Sequence, residues 1–255
     1  MTARTATELR VGDKTVDLAK AEVWVSKYTD AEANRRAKAA YAFPAYDKYM
    51  ADADPDHLVD ADLLAPALLN VGLSIRSFYG LQNITDQLEE HLRAIPVDLC
   101  LQNAGPDTIR ELVGPLYVLL DSPRDRPWGV RETTLSKVLH RKRPHFLVLH
   151  DKQVQNCYRG MLHIPTKGRS SADYMIELSS AVARDLRDQS SAWDRLELAV
   201  GEEGPISRVR LIDIIAWRVG GRSADGLVRS PSLQATGNGI ATDPLDEVEV
   251  AADDQ

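Results

Sequence analysis

The chain has 255 residues and a mass of 28.2 kDa, a length that predicts one large domain or two small ones. Its composition, 44% hydrophobic and 27% charged residues, predicts a globular protein with a core. Two cysteines exclude a four-thiolate metal site, and no run approaches the 18 apolar residues of a membrane span. The formal net charge of −7, taken over the whole chain, argues against a nucleic-acid partner.

The first 30 residues are predicted to be an N-terminal extension. They contain one strand-like feature, a pair of short strands between Leu9 and Leu18 with Gly12-Asp13 as the turn. Their first residues lack the apolar stretch of a signal peptide. We therefore expect a cytoplasmic protein that has no membrane partner.

Helical spacing of apolar residues dominates from residue 31 to residue 222, which we predict to be one helical domain. The predicted fold class is all-α with a small N-terminal β-hairpin. The predicted helices span residues 31–41, 60–79, 85–95, 106–120, 132–141, 171–187, 192–200 and 207–219, with one more beginning near residue 151.

Charge is distributed unevenly along the chain. Residues 123–170 hold eleven Lys or Arg against three Asp or Glu, a local balance of +8. Residues 223–255 hold seven acids and one Arg, and their Gly and Pro content with no aromatic residue predicts a disordered acidic tail. The acidic total therefore conceals a basic middle that suits a polyanionic partner.

The segment 128–160 carries the motif that points to a chemistry. Gly129-Val130 forms a tight turn before a short helix, a proline-containing apolar link follows, and Asp151 stands at the start of the next helix. This arrangement resembles the helix–hairpin–helix superfamily of DNA glycosylases. Gly129-Val130 matches the family's hairpin, Thr133 its post-hairpin position, and Asp151 its catalytic acid, 18 residues after Thr133. Arg131 replaces the second hairpin glycine.

A wider resemblance, over roughly residues 40–219, is to an actinobacterial family of unknown function. It rests on an Asp62-Leu63-Leu64-Ala65 helix and on an "RLIDIIAW" helix from Arg210 to Trp217. This resemblance implies no chemistry.

The glycosylase resemblance implies an enzyme that flips a damaged or modified base out of double-stranded DNA and hydrolyses its N-glycosidic bond. Asp151 is then the catalytic residue, since a carboxylate stabilises the sugar cation and orients water. Because Thr133 stands where bifunctional members hold a lysine, we expect a monofunctional enzyme that leaves an abasic site. Lys137, one turn later, would supply lyase activity only in a shifted register. Some relatives excise hypermodified cytosine from phage DNA, which makes phage defence a further expectation.

The resemblance and the basic segment together imply DNA-backbone contacts from the hairpin and the helix after it. These contacts are assigned to Gly129, Val130, Arg131, Thr133, Lys137, Arg141, Lys142 and Arg143. The partner is therefore modified or damaged duplex DNA. We expect a monomer with no cofactor and, because the histidines lack metal-ligand spacing, no metal.

Several residues admit a structural interpretation beside the functional one. Asp151 is also a typical helix N-cap, and the run from His140 to Arg143 is also a typical solvated helix end. His150 is assigned a structural or surface role, and Trp193 and Trp217 a core role. An aromatic cluster before the first long helix packs in the core or lines a pocket for the flipped base: Tyr41, Phe43, Tyr46 and Tyr49.

Two other functions stay open. One is a catalytically inactive DNA-binding module that has kept the scaffold. The other is a protein-interaction domain whose basic face and acidic tail bind partner proteins.

Overall fold

The computed structural model describes residues 7–38, 40–50, 54–123, 126–165, 168–202 and 204–221. Within these ranges the chain forms twelve α-helices, three short 3-10 helices and one two-stranded antiparallel sheet. This confirms the predicted helical class and the hairpin. None of the helices in the described ranges combines the length and apolar character needed to cross a membrane. The predicted acidic tail, 223–255, lies outside the described residues.

The N-terminal hairpin joins β1 (Glu8–Val11) to β2 (Lys14–Asp17), with Leu9 opposite Val16. Its turn is held against the helical core because the Gly12 N–H donates to the buried Asp185 carboxylate at 2.7 Å. Helix α1 (Leu18–Thr29) follows directly and is capped by the Asp17 side chain.

Helix α1 was not predicted, although its buried positions have helical spacing. Leu18, Ala21 and Val25 face the interior and, like Leu9, belong to the same hydrophobic core as the later helices. Residues 8–29 therefore pack as part of the helical body.

The remaining helices follow the predicted order, apart from α3, which was not predicted; most are shorter than predicted, α10 is one residue longer and α11 lies two residues earlier. They are α2 (Ala31–Arg36), α3 (Ala45–Lys48), α4 (Asp60–Leu64), α5 (Ile75–Gln82), α6 (Thr85–Arg93), α7 (Pro106–Val118), α8 (Glu132–Leu139), α9 (Lys152–Tyr158), α10 (Ser171–Asp188), α11 (Ser190–Leu198) and α12 (Arg208–Val219). The 3-10 turns are Ala65–Leu69, Leu101–Asn103 and Arg159–Met161.

The single helix predicted over residues 60–79 is wrong. Pro66 lies in the 3-10 turn that follows α4, and Asn70 ends that turn in the left-handed conformation with φ of 58°. A new helix, α5, then begins at Ile75 with Ser74 as its cap. After the break, Leu69 and Asn70 line a cavity to which Lys137 and Asp151 also contribute.

Helix α12 lies at the centre of the helical body, packed against α1, α9 and α11. Residues 209–216 are all buried, including the polar Arg210 and Asp213. A helix so enclosed places its polar side chains among other elements and away from bulk solvent. In this fold Arg210 binds Asp47 on α3 and Tyr28 on α1, and Asp213 lines a cavity together with Lys137 of α8 and Asp151.

Candidate active site

The hairpin before α8 has the predicted tight turn. The Val130 N–H donates to the Pro127 carbonyl at 3.2 Å, and Gly129 has φ of +67°. A Cβ on Gly129 would lie 2.6 Å from the Ser77 Oγ, so both conformation and space require glycine. Val130 is fully buried and anchors the turn, which leaves Arg131 exposed where α8 begins.

Asp151 caps α9 and also faces a cavity. Its Oδ1 accepts the N–H groups of Gln153 at 2.8 Å and Val154 at 3.0 Å. Its Oδ2 accepts the indole N–H of Trp217 at 3.0 Å and lies 3.6 Å from the Lys137 Nζ. The two interpretations of Asp151 are therefore compatible, because each oxygen has its own environment.

Lys137 provides the amine beside Asp151, and Thr133 does not face it. The Lys137 side chain is 3% exposed and reaches the cavity from the middle of α8. The Thr133 hydroxyl lies 3.2 Å from the His150 Nδ1. An amine thus occupies the neighbourhood of the acid one helical turn later than the motif comparison implies.

The cavity has a volume of about 70 Å³, room for several water molecules. Its wall combines aromatic and ionisable side chains from α1, α8, α12 and the cap of α9, with the residues around Tyr41 and Asn70 closing one side. The residues that matter for chemistry are Tyr28, Tyr41, Lys137, Asp151, Arg210, Asp213, Trp217 and Arg218. Among the described residues, no group of three or more His, Cys, Asp or Glu side chains is arranged to hold a metal ion.

Helix α12 contributes site residues that the sequence did not indicate. Trp217, assigned to the core, is 36% exposed and hydrogen-bonds Asp151 in the cavity wall. That assignment is wrong for Trp217 and confirmed for Trp193, which is fully buried. Arg210 and Asp213, two turns and one turn before Trp217, form a buried ion pair.

Of the four aromatic residues considered for a base pocket, Tyr41 lines the cavity, where its hydroxyl accepts a hydrogen bond from Arg218 at 2.6 Å. Phe43 is buried in the core, and Tyr46 is buried and donates to the Lys137 carbonyl at 2.6 Å. Tyr49 is 41% exposed and does not line the cavity. The base-pocket prediction is therefore wrong for Phe43, Tyr46 and Tyr49.

The basic run after α8 is folded inward. Arg141 and Lys142 both bind the Asp62 carboxylate, at 2.8 and 2.9 Å. Arg143 is 1% exposed and donates to Asp56 and to several backbone carbonyls, including that of Ile95 at 2.7 Å. Burial and internal pairing contradict the predicted DNA contact for these three side chains, and also the alternative of a solvated helix end. Lys137, predicted to contact the backbone, is buried in the cavity wall instead.

His150 has the structural role assigned to it. Its Nδ1 lies 3.2 Å from the Thr133 hydroxyl and its Nε2 lies 3.2 Å from the Tyr174 hydroxyl. Burial lowers the pKa of His150 to about 4, so the ring is neutral near pH 7. It joins α8 to α10 behind Asp151.

Comparison with known protein families assigns the chain to one family. The chain belongs to the Family of unknown function (DUF6308), which matches residues 21–220. No curated protein and no solved structure matches it. The matched range contains every residue that lines the cavity, but the DUF6308 match carries no activity with it. Any functional conclusion must come from the geometry.

In this DUF6308 chain, two exposed cations of the basic segment flank the hairpin, while Lys152 and Arg159 are exposed on and just after α9. Arg126 and Arg131 are exposed on either side of Gly129. The Arg76 guanidinium, on α5, lies 5.7 Å from the ring of Trp128, a side chain that is 68% exposed. This hairpin surface (Arg76, Arg126, Trp128 and Arg131) combines positive charge with an exposed aromatic ring.

Proposed function

We propose that this protein is a DNA glycosylase that excises a damaged or modified base and leaves an abasic site. The observation that supports the proposal most is the cavity at Asp151. One carboxylate oxygen is fixed by the helix cap, and the other lies next to the Lys137 amine at the cavity that Asp151 lines. Tyr41 and Trp217 border the same space with aromatic rings of the kind that hold an extruded base.

The chemistry of the proposed reaction suits a fixed carboxylate. As the bond from C1′ to the base breaks, its electron pair leaves with the base and positive charge develops on the sugar. The Asp151 Oδ2 stabilises that charge and accepts a proton from the water whose oxygen bonds to C1′. The cap hydrogen bonds and the Trp217 indole hold the carboxylate in place. The carboxylate therefore needs to move little when positive charge develops on the sugar.

The hairpin surface is the proposed contact with the DNA backbone. Arg76, Arg126 and Arg131 are exposed there, and the turn at Gly129 leads into the first backbone N–H groups of α8. Helix N-termini and arginines both bind phosphate. The proposed DNA contact is therefore assigned to this surface and no longer to Arg141, Lys142 and Arg143, whose side chains bind groups inside the protein.

A base-release assay tests the proposal. Duplexes carrying uracil, hypoxanthine, 7-methylguanine, 8-oxoguanine, 5-hydroxymethylcytosine or its glucosylated form are incubated with the protein, and the freed base is measured by mass spectrometry. The glucosylated base addresses the proposed role in phage defence. We expect release of at least one base by the wild type and by an exposed-surface control, Asp86→Asn. Release should be lost in Asp151→Asn.

A second candidate function is favoured by the position of Lys137. The Lys137 nitrogen lies 3.6 Å from the carboxylate and, after giving a proton to Asp151, can bond to C1′ as the bond to the base breaks and its electron pair leaves with the base. Loss of a second proton from the nitrogen and breakage of the C1′–O4′ bond, with the electron pair and a proton going to O4′, give a Schiff base that permits strand cleavage by β-elimination. Borohydride trapping distinguishes the two functions. A covalent protein–DNA product that is absent in Lys137→Gln and present in the exposed-lysine control Lys152→Gln supports the lyase; no trapped product supports the monofunctional enzyme.

The other two interpretations give different outcomes in the same experiments. A catalytically inactive DNA-binding module binds duplex DNA with a linear fall of log affinity against log salt but releases no base. A protein-interaction domain shows no DNA binding even at low salt.

A further inference from the structure

Asp213 carries a buried carboxylate oxygen without a hydrogen-bond partner in the described part of the chain, and it has no part in the roles proposed for Asp151 and Lys137. It lies on α12, is 4% exposed and lines the same cavity. Its Oδ2 accepts from the Arg210 Nη1, whereas its Oδ1 is buried and has no hydrogen-bond partner. Buried polar atoms are nearly always hydrogen-bonded, so an unpaired carboxylate oxygen on a side chain that lines a cavity indicates a missing ligand or water.

Arg210 does not serve Asp213 alone, so this ion pair does not by itself explain why a third carboxylate is buried here. Arg210 already binds the Asp47 carboxylate through its Nε at 2.9 Å and donates to the Tyr28 hydroxyl at 2.8 Å. Lys137 is in turn matched by Asp151. Asp213 is then the third carboxylate, after Asp47 and Asp151, beside the two buried cations Arg210 and Lys137, and the half-buried Arg218 lines the same cavity.

The charged groups around Asp213 come from every side of the cluster. They are Arg210 on its own helix, Asp47 on α3, Tyr28 on α1, Lys137 on α8 and Asp151 at the start of α9. Burial raises the pKa of Asp213 to about 6, opposed by the positive charge of Arg210 and supported by the negative charge of Asp151. A carboxyl group with a raised pKa beside an acid that is fixed by hydrogen bonds is the arrangement by which other glycosyl-cleaving sites divide acid and base roles.

We propose that Asp213 is a second catalytic residue, the general acid that protonates the departing base. The inference rests on the proposed glycosylase function. The Asp213 Oδ1 gives its proton to a ring nitrogen or oxygen of the base while the C1′–N bond breaks and the bond's electron pair goes to the base. Water bonds to C1′ and its proton passes to Asp151. Asp213, left ionised and paired with Arg210, regains its proton from solvent once the base has left.

The test compares neutral bases with a cationic one across pH. Uracil and hypoxanthine leave more easily when protonated, whereas 7-methylguanine already carries a positive charge and needs no acid. Single-turnover release is measured from pH 5 to 8.5 for the wild type, Asp213→Asn and the control Asp86→Asn. The Asn side chain retains the shape of Asp and an oxygen for Arg210, but has no acidic proton.

We expect wild-type release of a neutral base to fall about tenfold per pH unit above about pH 6, because the acid must be protonated. Asp213→Asn should release neutral bases on the order of 100-fold more slowly at pH 6 and lose this pH dependence. Release of 7-methylguanine should be nearly unchanged. The wild-type pH profiles alone test the inference should the variant fail to fold.

The outcomes separate this inference from the function on which it rests. If the wild type releases bases and Asp213→Asn keeps both its rate and its pH dependence, the general acid is wrong and the glycosylase stands. Release confined to 7-methylguanine with no effect of Asp213→Asn also overturns the general acid. If the wild type releases no base, both proposals fail together.

Discussion

Substitution of two arginines in the same basic segment, Arg143 and Arg126, is expected to change the free energy of unfolding by very different amounts. Arg143 is buried and donates to the carbonyls of Leu92 and Ile95 and to the Asp56 carboxylate, so its removal takes a buried donor away from the Ile95 carbonyl and the cation away from Asp56. We predict that Arg143→Met lowers the free energy of unfolding by about 3 kcal/mol, measured by urea denaturation. The exposed Arg126→Gln should change it by less than about 0.5 kcal/mol.

The same two variants test where DNA is bound. Arg126→Gln should weaken DNA binding and reduce the slope of log affinity against log salt by about one. Arg143→Met, where it folds, should keep the wild-type slope. Equal loss of the slope in both variants would contradict the assignment of the hairpin surface.

Two substitutions of Asp151 distinguish its role as a helix cap from its proposed role in catalysis. Asn is as good an N-cap as Asp, whereas Ala removes the acceptor of the Gln153 and Val154 N–H groups. We predict that Asp151→Ala lowers the free energy of unfolding by about 1 kcal/mol more than Asp151→Asn does. Thermal or urea unfolding measures this difference, and identical stabilities would contradict the cap.

Some residues of the candidate site can be predicted from the sequence and others cannot. Asp151 is predictable, because hairpin, spacing and cap are all local to one segment. Trp217 and Asp213 are not, because they meet Asp151 across more than 60 residues of intervening chain. The available signal was Arg210 and Asp213 interrupting an apolar run on a helix, since charged residues placed there are buried and must find partners.

At the scale of elements, the turn before α8 depends on Gly129. A side chain at this position must adopt a φ of +67° and clash with the Ser77 Oγ. We predict that Gly129→Ala lowers the free energy of unfolding by about 1–2 kcal/mol. Gly72→Ala is the matched control, because a Cβ there meets nothing within 4 Å and it should be close to neutral. Equal effects of the two substitutions would contradict the turn geometry.

Sequence periodicity predicted helices with a serine cap, such as α10 after Ser170 and α12 after Ser207, and also helices without a side-chain cap, such as α6 and α7. The helix predicted over residues 60–79 failed because apolar spacing continues through a backbone break. Asn70 takes a left-handed conformation there, which a pattern of apolar residues does not register. Helix α1 was missed because the preceding strand pattern runs directly into it.

At the scale of the whole molecule, charge along the sequence is a poor guide to charge on the surface. The balance of +8 over residues 123–170 suggests a basic face. Much of that charge is neutralised by acids from distant segments, since Asp56 and Asp62 bind the run after α8. Among the described residues of this segment, the cations that stay exposed are Arg126 and Arg131 beside the hairpin and Lys152 and Arg159 on and just after α9.

Folding stability should depend on pH through the buried histidines. The unfolded chain binds a proton on His150 below about pH 6.5, whereas the folded protein does so only below about pH 4. The stabilisation by neutral His150 is therefore complete above pH 6.5 and is lost as the pH falls. We predict that His150→Gln removes about 2 kcal/mol of the stability loss that the wild type shows between pH 7 and pH 5.

Urea unfolding at both pH values measures this difference. His140, whose pKa burial also lowers to about 4, and Asp213 titrate in both proteins and so cancel in the comparison. The exposed His145→Gln should retain the wild-type loss. A pH dependence in His150→Gln equal to that of the wild type would contradict a neutral buried imidazole.

The most direct test of the central claim is the rate at which the full chain frees a base from duplex DNA, compared with that of Asp151→Asn. This variant keeps the helix cap and removes the charge that faces the cavity. We predict release by the wild type and a rate at least about 100-fold lower in Asp151→Asn, with the fold and DNA affinity retained. Equal rates in the two proteins, or no release of any base by the wild type, would contradict the assignment of Asp151 as the catalytic residue of a glycosylase.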